Sequence, residues 1–138
     1  MGTGGQGKVY HAIDKEKGKE YAVKITDLSK YGQNERLARL EKYQQELDLL
    51  QKIDSIYITK YYGQAAEPDR HQYYLLLEFC NSDLLKLMRK RKVLSEKEAQ
   101  KINWQIFNAQ HDLNGHKIIH RDLKPGNIGL LFDGYDSQ

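Results

Sequence analysis

The sequence has a single cysteine, Cys80, so an internal disulfide is excluded. A chain with no internal disulfide fits a protein from a reducing compartment. No apolar run approaches the roughly 18 residues that a membrane-spanning helix needs, and the first residues lack the pattern of a signal peptide. From these absences we expect a cytoplasmic protein, with the nucleus as an alternative, and no membrane partner.

The chain also has little excess charge of either sign. Its 22 lysines and arginines against 19 aspartates and glutamates leave a net charge of +3, which is too small to indicate a nucleic-acid partner. Hydrophobic residues make up 39% and charged residues 30% of the chain, a balance typical of folded globular proteins. With 138 residues, the chain is long enough for one ordinary domain and too short for two.

An octet near the end of the chain carries the strongest chemical signal. It reads His-Arg-Asp-Leu-Lys-Pro-Gly-Asn from His120 to Asn127, and it places a carboxylate at Asp122, an ammonium at Lys124 and a carboxamide at Asn127. Phosphoryl transfer to a hydroxyl uses these three groups together. The carboxylate accepts the hydroxyl proton, the ammonium neutralises charge on the phosphoryl group, and the amide oxygen holds a metal ion. The alternative is a polar surface loop between two strands.

The octet resembles the catalytic loop of the eukaryotic protein kinases, H-R-D-L-x-x-x-N. The octet has a lysine two residues after Asp122, and in this it resembles the catalytic loop of serine/threonine kinases rather than that of tyrosine kinases. The resemblance implies transfer of the γ-phosphoryl group of ATP to a serine or threonine of a protein substrate, with ATP and Mg²⁺ as cofactors. It also implies that Asp122, Lys124 and Asn127 are catalytic, with Asn127 as a metal ligand.

The first residues contain a complete G-x-G-x-x-G-x-V motif. Glycine lets the backbone come close to a phosphate, but the motif alone is weak. A dinucleotide-binding site would need a helix after the glycines, whereas residues 9–13 alternate like a strand. A flexible start to the chain is a further alternative. In kinases such a loop covers ATP, so the resemblance assigns ATP binding to Gly2, Thr3, Gly4, Gly5, Gln6, Gly7 and Val9.

A polar turn at residues 15–19 connects this strand to a second one in a predicted hairpin. Alternation along residues 20–26 places Ala22 and Lys24 on the same face. Tyr21-Ala22-Val23-Lys24 is similar to the V-A-I-K strand of kinases. The resemblance therefore places Ala22 and Lys24 in the ATP site, with Lys24 paired to a helix glutamate.

The apolar residues of the next segment recur at three- and four-residue steps, which predicts a helix over residues 34–52. Its glutamates Glu35, Glu41 and Glu46 are all candidates for the partner of Lys24. We prefer Glu46, because Glu46-Leu47-Asp48-Leu49-Leu50 resembles the kinase pattern. The alternative is a solvated glutamate on the outer face.

Residues 72–79 read as a buried strand that ends at Glu78-Phe79-Cys80. By resemblance this is the last strand of the small lobe followed by the hinge, whose backbone binds adenine. The resemblance therefore adds four residues to the ATP site: Leu77, Glu78, Phe79 and Cys80.

Two helices are predicted after the hinge. The first begins with Asp83 as a cap and ends in the basic run 89–92, which is either a solvated helix end or a nuclear-import or anion-binding segment. The second opens with a capping box at Ser95 and Glu98 and ends with Gly115 as its C-cap. The histidines at 111, 116 and 120 could form a metal site, although we favour structural or surface roles.

The resemblance spans the whole chain and implies an α+β fold. Residues 1–80 would form a kinase-like small lobe, an antiparallel sheet plus one long helix, with the hinge. Residues 81–138 would begin the large lobe with its first helices and catalytic loop.

Three departures from the family pattern stand out. The strand that enters the glycine loop is missing, and Gly129 replaces the large apolar residue under adenine. A hairpin turn is predicted at Asp133-Gly134 with a return strand to residue 138, so no D-F-G motif is reached. We therefore expect a truncated kinase domain with negligible activity alone and poor solution behaviour. The alternative is an inactive nucleotide-binding or partner-binding module.

Overall fold

A computed structural model describes residues 3–4 and 7–131. These residues form two compact units. The first contains the described residues up to Asp54 together with Lys60–Phe79, and the second contains Ser55–Thr59 together with the described residues from Cys80 onward. The predicted boundary between the lobes, at residue 80, stays a prediction. That prediction included Ser55–Thr59 in the first lobe, whereas the structure groups this segment with the second unit.

The grouping of Ser55–Thr59 with the second unit has a physical cause. The hydroxyl of Ser55 donates a hydrogen bond to the carboxylate of Asp112. The Tyr57 ring meets Trp104 edge to face, with the ring centroids 5.7 Å apart. Both partners lie on the long helix of the second unit, so this short segment is fixed to that helix by side chains that are distant in sequence.

The first unit is an antiparallel sheet with one helix. Within the described residues its strands are β1 (Thr3–Gly4), β2 (Gly7–Ile13), β3 (Glu20–Asp27), β4 (Tyr61–Glu67) and β5 (Gln72–Glu78). They lie in the order β1-β2-β3-β5-β4. The predicted hairpin of β2 and β3 is confirmed. The short strand β1 was not predicted; it pairs with the start of β2, at Thr3 opposite Lys8.

The helix of this unit, α1 (Gln33–Lys52), agrees with the prediction to one residue at its start. Its Tyr43 and Leu47 are buried and pack with Leu75 of β5, which is fully buried. These contacts hold α1 against the sheet over about one turn of the helix. Leu37 belongs to the same apolar spacing but is 56% exposed, so the apolar stripe is buried only in its middle and later part.

The second unit contains α2 (Leu84–Arg91), α3 (Glu96–Gly115) and the short strands β6 (Ser82–Asp83) and β7 (Gly129–Leu130), which pair with each other. A 3₁₀ turn at Pro125–Asn127 precedes β7. Both predicted N-caps are confirmed. The carboxylate of Asp83 accepts from the backbone N–H of Lys86 at 2.8 Å, and Ser95 and Glu98 form the capping box.

The C-terminal end of α3 differs from the prediction. Gly115 is the last helical residue and His116 is the C-cap. The residue with left-handed backbone is Lys117, at φ 59°. The predicted hairpin at residues 133–138 lies outside the described residues. On α3 itself, Trp104 and Phe107 are 59% and 69% exposed. None of the helices in the described ranges is long and apolar enough to cross a membrane.

Candidate functional site

One face of the first sheet collects several of the predicted ATP-binding residues. Val9 of β2 lies opposite Lys24 of β3, and Ala22 of β3 lies opposite Leu77 of β5. Residues directly opposite in an antiparallel ladder project to the same face, as do residues two apart in one strand. The structure therefore brings Val9, Ala22, Lys24 and Leu77 together on one face. Residues 2, 5 and 6 lie outside the described part of the chain.

Lys24 forms a bidentate ion pair with Glu46. Its Nζ atom lies 2.6 Å from Oε1 and 2.7 Å from Oε2 of the glutamate, and the lysine side chain is only 13% exposed. Glu35, an alternative candidate, pairs with Arg39 at 2.9 Å instead. Glu46 reaches the sheet because Leu47, its neighbour on α1, is buried against it. The pair that the sequence favoured is present.

The end of β5 is held in two different ways. The backbone N–H of Glu78 donates to the carbonyl of Lys60 at 2.8 Å, which continues the sheet ladder. Beyond it, the Phe79 ring stacks on His11 with centroids 4.0 Å apart and planes 14° apart. His11 was not among the site residues predicted from the sequence. Its position two residues after Val9 on the same strand face was the signal that could have identified it.

The catalytic octet brings its three predicted residues into contact. The Lys124 Nζ atom lies 2.9 Å from Oδ1 and 2.8 Å from Oδ2 of Asp122. The Asn127 Nδ2 atom donates to Oδ2 of Asp122 at 2.9 Å and to its backbone carbonyl at 2.8 Å. The 3₁₀ turn at Pro125–Asn127 makes this closure, since proline fixes φ at its first position.

These hydrogen bonds also set the charge of the central carboxyl. The contacts with Lys124 first, and then with Asn127, lower the pKa of Asp122 below its ordinary value, against a smaller opposing effect of burial. Asp122 is therefore ionised at neutral pH. In addition, its backbone N–H donates to Nδ1 of His120 at 3.3 Å. The arrangement is an ionised carboxylate held in place by a cation and an amide.

The donor set of this cluster suits a hard metal ion. Both hydrogen bonds of the Asn127 side chain use Nδ2, and Oδ1 takes part in none of the hydrogen bonds found among the described residues. An amide oxygen is a ligand that Mg²⁺ accepts. Among residues 3–4 and 7–131, no group of three or more His, Cys, Asp or Glu side chains could hold a metal ion.

The structure gives a steric reason for glycine at position 129. A Cβ atom built there would lie 2.5 Å from Sγ and 3.0 Å from Cβ of Cys80. The Cys80 side chain therefore occupies the space that a side chain at Gly129 would need. The effect of Gly129 on packing under adenine stays a prediction.

Comparison with known proteins agrees with this geometry. The family model described as "Protein kinase domain" matches residues 1–135. The chain is 40% identical to serine/threonine-protein kinase tousled-like 1-B of Danio rerio and 39% identical to serine/threonine-protein kinase tousled-like 1 of Homo sapiens, in each case over 97% of this chain and 18% of the relative. It is 36% identical to calcium-dependent protein kinase 5 of Plasmodium berghei, over 99% of this chain and 23% of the relative.

The chain thus spans about a fifth of the length of these curated relatives. The match of residues 1–135 covers both units, from the glycine-rich segment through the octet. The predicted α+β kinase fold is confirmed. The chain belongs to the protein kinase domain family.

Proposed function

We propose that the protein carrying this chain transfers the γ-phosphoryl group of ATP to a serine or threonine hydroxyl of a protein substrate. The observation that supports this most is the cluster in which Lys124 and Asn127 both bond to the ionised carboxylate of Asp122. The lysine at position 124 and the names of the relatives, which are serine/threonine-protein kinases, favour serine and threonine over tyrosine.

In this proposal Asp122 is the general base. One carboxylate oxygen accepts a hydrogen bond from the substrate hydroxyl and takes its proton as the hydroxyl oxygen forms a bond to the γ-phosphorus and the bond from that phosphorus to the ADP oxygen breaks. Because Lys124 occupies both oxygens of the carboxylate, the incoming hydroxyl replaces one of its two hydrogen bonds. The ammonium, which keeps its bond to the other carboxylate oxygen, then has a hydrogen-bond donor available for the phosphoryl oxygens.

Asn127 has a double role. Its Nδ2 atom fixes the orientation of the Asp122 carboxylate, while Oδ1 would be a ligand of Mg²⁺. When bound, Mg²⁺ neutralises charge on the β- and γ-phosphates. An asparagine suits both tasks because its amide offers one donor group and one acceptor group.

The first unit would bind ATP. Lys24 would contact the phosphates, and Glu46 holds its ammonium in place through the bidentate pair. An apolar surface for the adenine base would come from the side chains that share the face of Lys24. The proposed ATP-binding residues are Gly2, Thr3, Gly4, Gly5, Gln6, Gly7, Val9, Ala22, Leu77, Glu78, Phe79 and Cys80.

The test is a phosphotransfer assay on the full-length protein that carries this chain. The assay uses γ-labelled ATP and a library of serine-, threonine- and tyrosine-containing peptides, with and without Mg²⁺. We expect Mg²⁺-dependent labelling of serine or threonine peptides and none of tyrosine peptides. ATP binding without any transfer would contradict the proposal and favour a nucleotide-binding module.

A further inference from the structure

We infer that His11 is a positioning residue for nucleotide binding, because its ring holds Phe79 and thereby fixes the segment Glu78–Cys80. This inference rests on the proposed function, in which the same segment binds the adenine base. His11 lies outside the glycine-rich motif, the V-A-I-K-like strand and the octet.

The geometry of the contact is that of a specific aromatic pair. The two rings are nearly parallel, at 14°, and their centroids are 4.0 Å apart. Stacked rings at this separation are in direct contact, so rotation of the Phe79 ring away from His11 would reduce that contact. The contact therefore restricts Phe79 to a narrow range of side-chain conformations.

The His11 ring is itself fixed on two sides. Its backbone is paired with Ala22 in the β2–β3 ladder. Its Nε2 atom lies 2.9 Å from Oε1 of Glu20, which is two residues from Ala22 and therefore on the same sheet face. The His11 side chain is 30% exposed, so the ring is largely covered. A ring held by the ladder and by a carboxylate is a rigid support for its stacking partner.

The support matters because of where Phe79 lies. Regular pairing of β5 with its neighbours ends at Glu78, opposite Tyr21. Phe79 is the last residue of the first unit, and the chain enters the second unit at Cys80. The His11 ring thus extends the ordered part of this strand by one residue beyond the ladder. A binding segment that is ordered before the ligand arrives loses less conformational freedom on binding.

The experiment uses the full-length protein and measures the dissociation constant of Mg²⁺-ATP by calorimetry. The variant His11→Leu keeps an apolar side chain of similar size but removes the ring, and His11→Phe restores a ring without the bond to Glu20. The control is Tyr10→Ala, which alters the neighbouring residue on the opposite face of β2, where the side chain is 48% exposed. Amide hydrogen exchange of residues 78–80 is measured without nucleotide.

We expect His11→Leu to weaken Mg²⁺-ATP binding about three- to tenfold, as the loss of one aromatic pair would. Exchange at residues 78–80 should become faster, both effects should be reversed in His11→Phe, and Tyr10→Ala should match the wild type. Unchanged binding in His11→Leu, or no rescue by His11→Phe, would overturn the inference. If the leucine variant does not fold, His11→Met takes its place, because it also removes the ring and leaves Phe79 unaltered.

The two proposals fail in different ways. If the wild-type protein does not bind Mg²⁺-ATP, the proposed function is wrong. The hydrogen-exchange measurement then tests by itself whether His11 positions residues 78–80, because it needs no nucleotide. Equal exchange at residues 78–80 in the wild type and in His11→Leu would overturn the role of His11 as well.

Discussion

Lys24 of strand β3 and Glu46 of helix α1, which are 22 residues apart in the chain, form an ion pair with Nζ 2.6 Å from Oε1. The lysine is largely covered and the glutamate is 36% exposed. Partial cover weakens the screening of the pair by water and salt. The ion pair therefore couples the position of α1 to the position of the Lys24 ammonium on the sheet face.

This coupling is measurable in a double-mutant cycle. Lys24→Met should weaken Mg²⁺-ATP binding, and Glu46→Gln should reproduce part of that loss, because the glutamate orients the ammonium. We expect a coupling free energy of about 0.5–3 kcal/mol for residues in direct contact. Binding constants of the two single variants and the double variant give this value. Losses that simply add would show that the pair has no energetic role in ATP binding, and Glu41 would be the next residue to test.

The pKa of Asp122 should lie below the ordinary aspartate value of about 3.9. A carboxyl resonance titration by NMR measures it. Lys124→Met removes the largest cause of the shift and should raise the midpoint towards the ordinary value, while Asn127 still lowers it in part. A midpoint in the lysine variant that equals that of the wild type would contradict the assignment.

The pH dependence follows from the direction of the same shift. Because the folded pKa of Asp122 is lower than the unfolded one, its contribution to stability is present above the unfolded pKa and is lost as the pH falls through the folded pKa. The base therefore stays ionised over the whole neutral range. NMR should therefore show Asp122 unprotonated from pH 8 to pH 5, and protonation of Asp122 within that range would contradict the lowered pKa.

Gly129→Ala should destabilise the protein. The new methyl group would meet Cys80, so the strand or the cysteine must shift, at a cost of about 1–3 kcal/mol for an overpacked site. Cys80→Ala in the same background removes the Sγ atom, which makes the closer of the two contacts, and should restore most of the lost stability. Gly126→Ala is the matched control, since the nearest atom there is Leu85 Cδ2 at an ordinary 3.7 Å. Equal unfolding free energies for the two glycine variants would contradict the steric account.

Lys117→Gly should stabilise the protein. Lys117 has φ 59°, which is unfavourable for a residue with a Cβ atom. Glycine adopts this conformation without that penalty but loses more freedom on folding, so the net gain should be about 0.5–1 kcal/mol. Lys117→Ala distinguishes the effect of backbone conformation on stability from the effect of charge, because it removes the ammonium and keeps the Cβ. Chemical denaturation of the three proteins should rank glycine first. An alanine variant as stable as the glycine variant would assign the effect to charge.

Local patterns were enough to predict several elements. The spacing of apolar residues predicted α1, alternation and a polar turn predicted the β2–β3 hairpin, and the Ser95 and Glu98 pair predicted the start of α3. In each case the interactions that form the element join residues close in sequence. The preference for Glu46 came instead from resemblance to a family motif, since spacing alone left three glutamates open.

The features that the sequence did not predict depend on contacts between distant residues. The stacking of His11 on Phe79 and the bond from Ser55 to Asp112 join segments that only the folded chain brings together. At the end of α3, Gly115 was expected to be the C-cap, yet His116 is the C-cap and Lys117 has the positive φ. The helix continues through Gly115, and the turn after His116 imposes the positive φ on the lysine despite its side chain.

The measurement that tests the central claim most directly compares Mg²⁺-ATP binding and phosphotransfer in Asp122→Ala of the full-length protein. Removal of the base should reduce the transfer rate about 10²- to 10⁴-fold while the dissociation constant of Mg²⁺-ATP stays nearly unchanged. Asp69→Ala, an exposed aspartate on the 3₁₀ turn Pro68–Arg70, is the control and should retain full activity. Undiminished phosphotransfer in Asp122→Ala would contradict the assignment of Asp122 as the catalytic base.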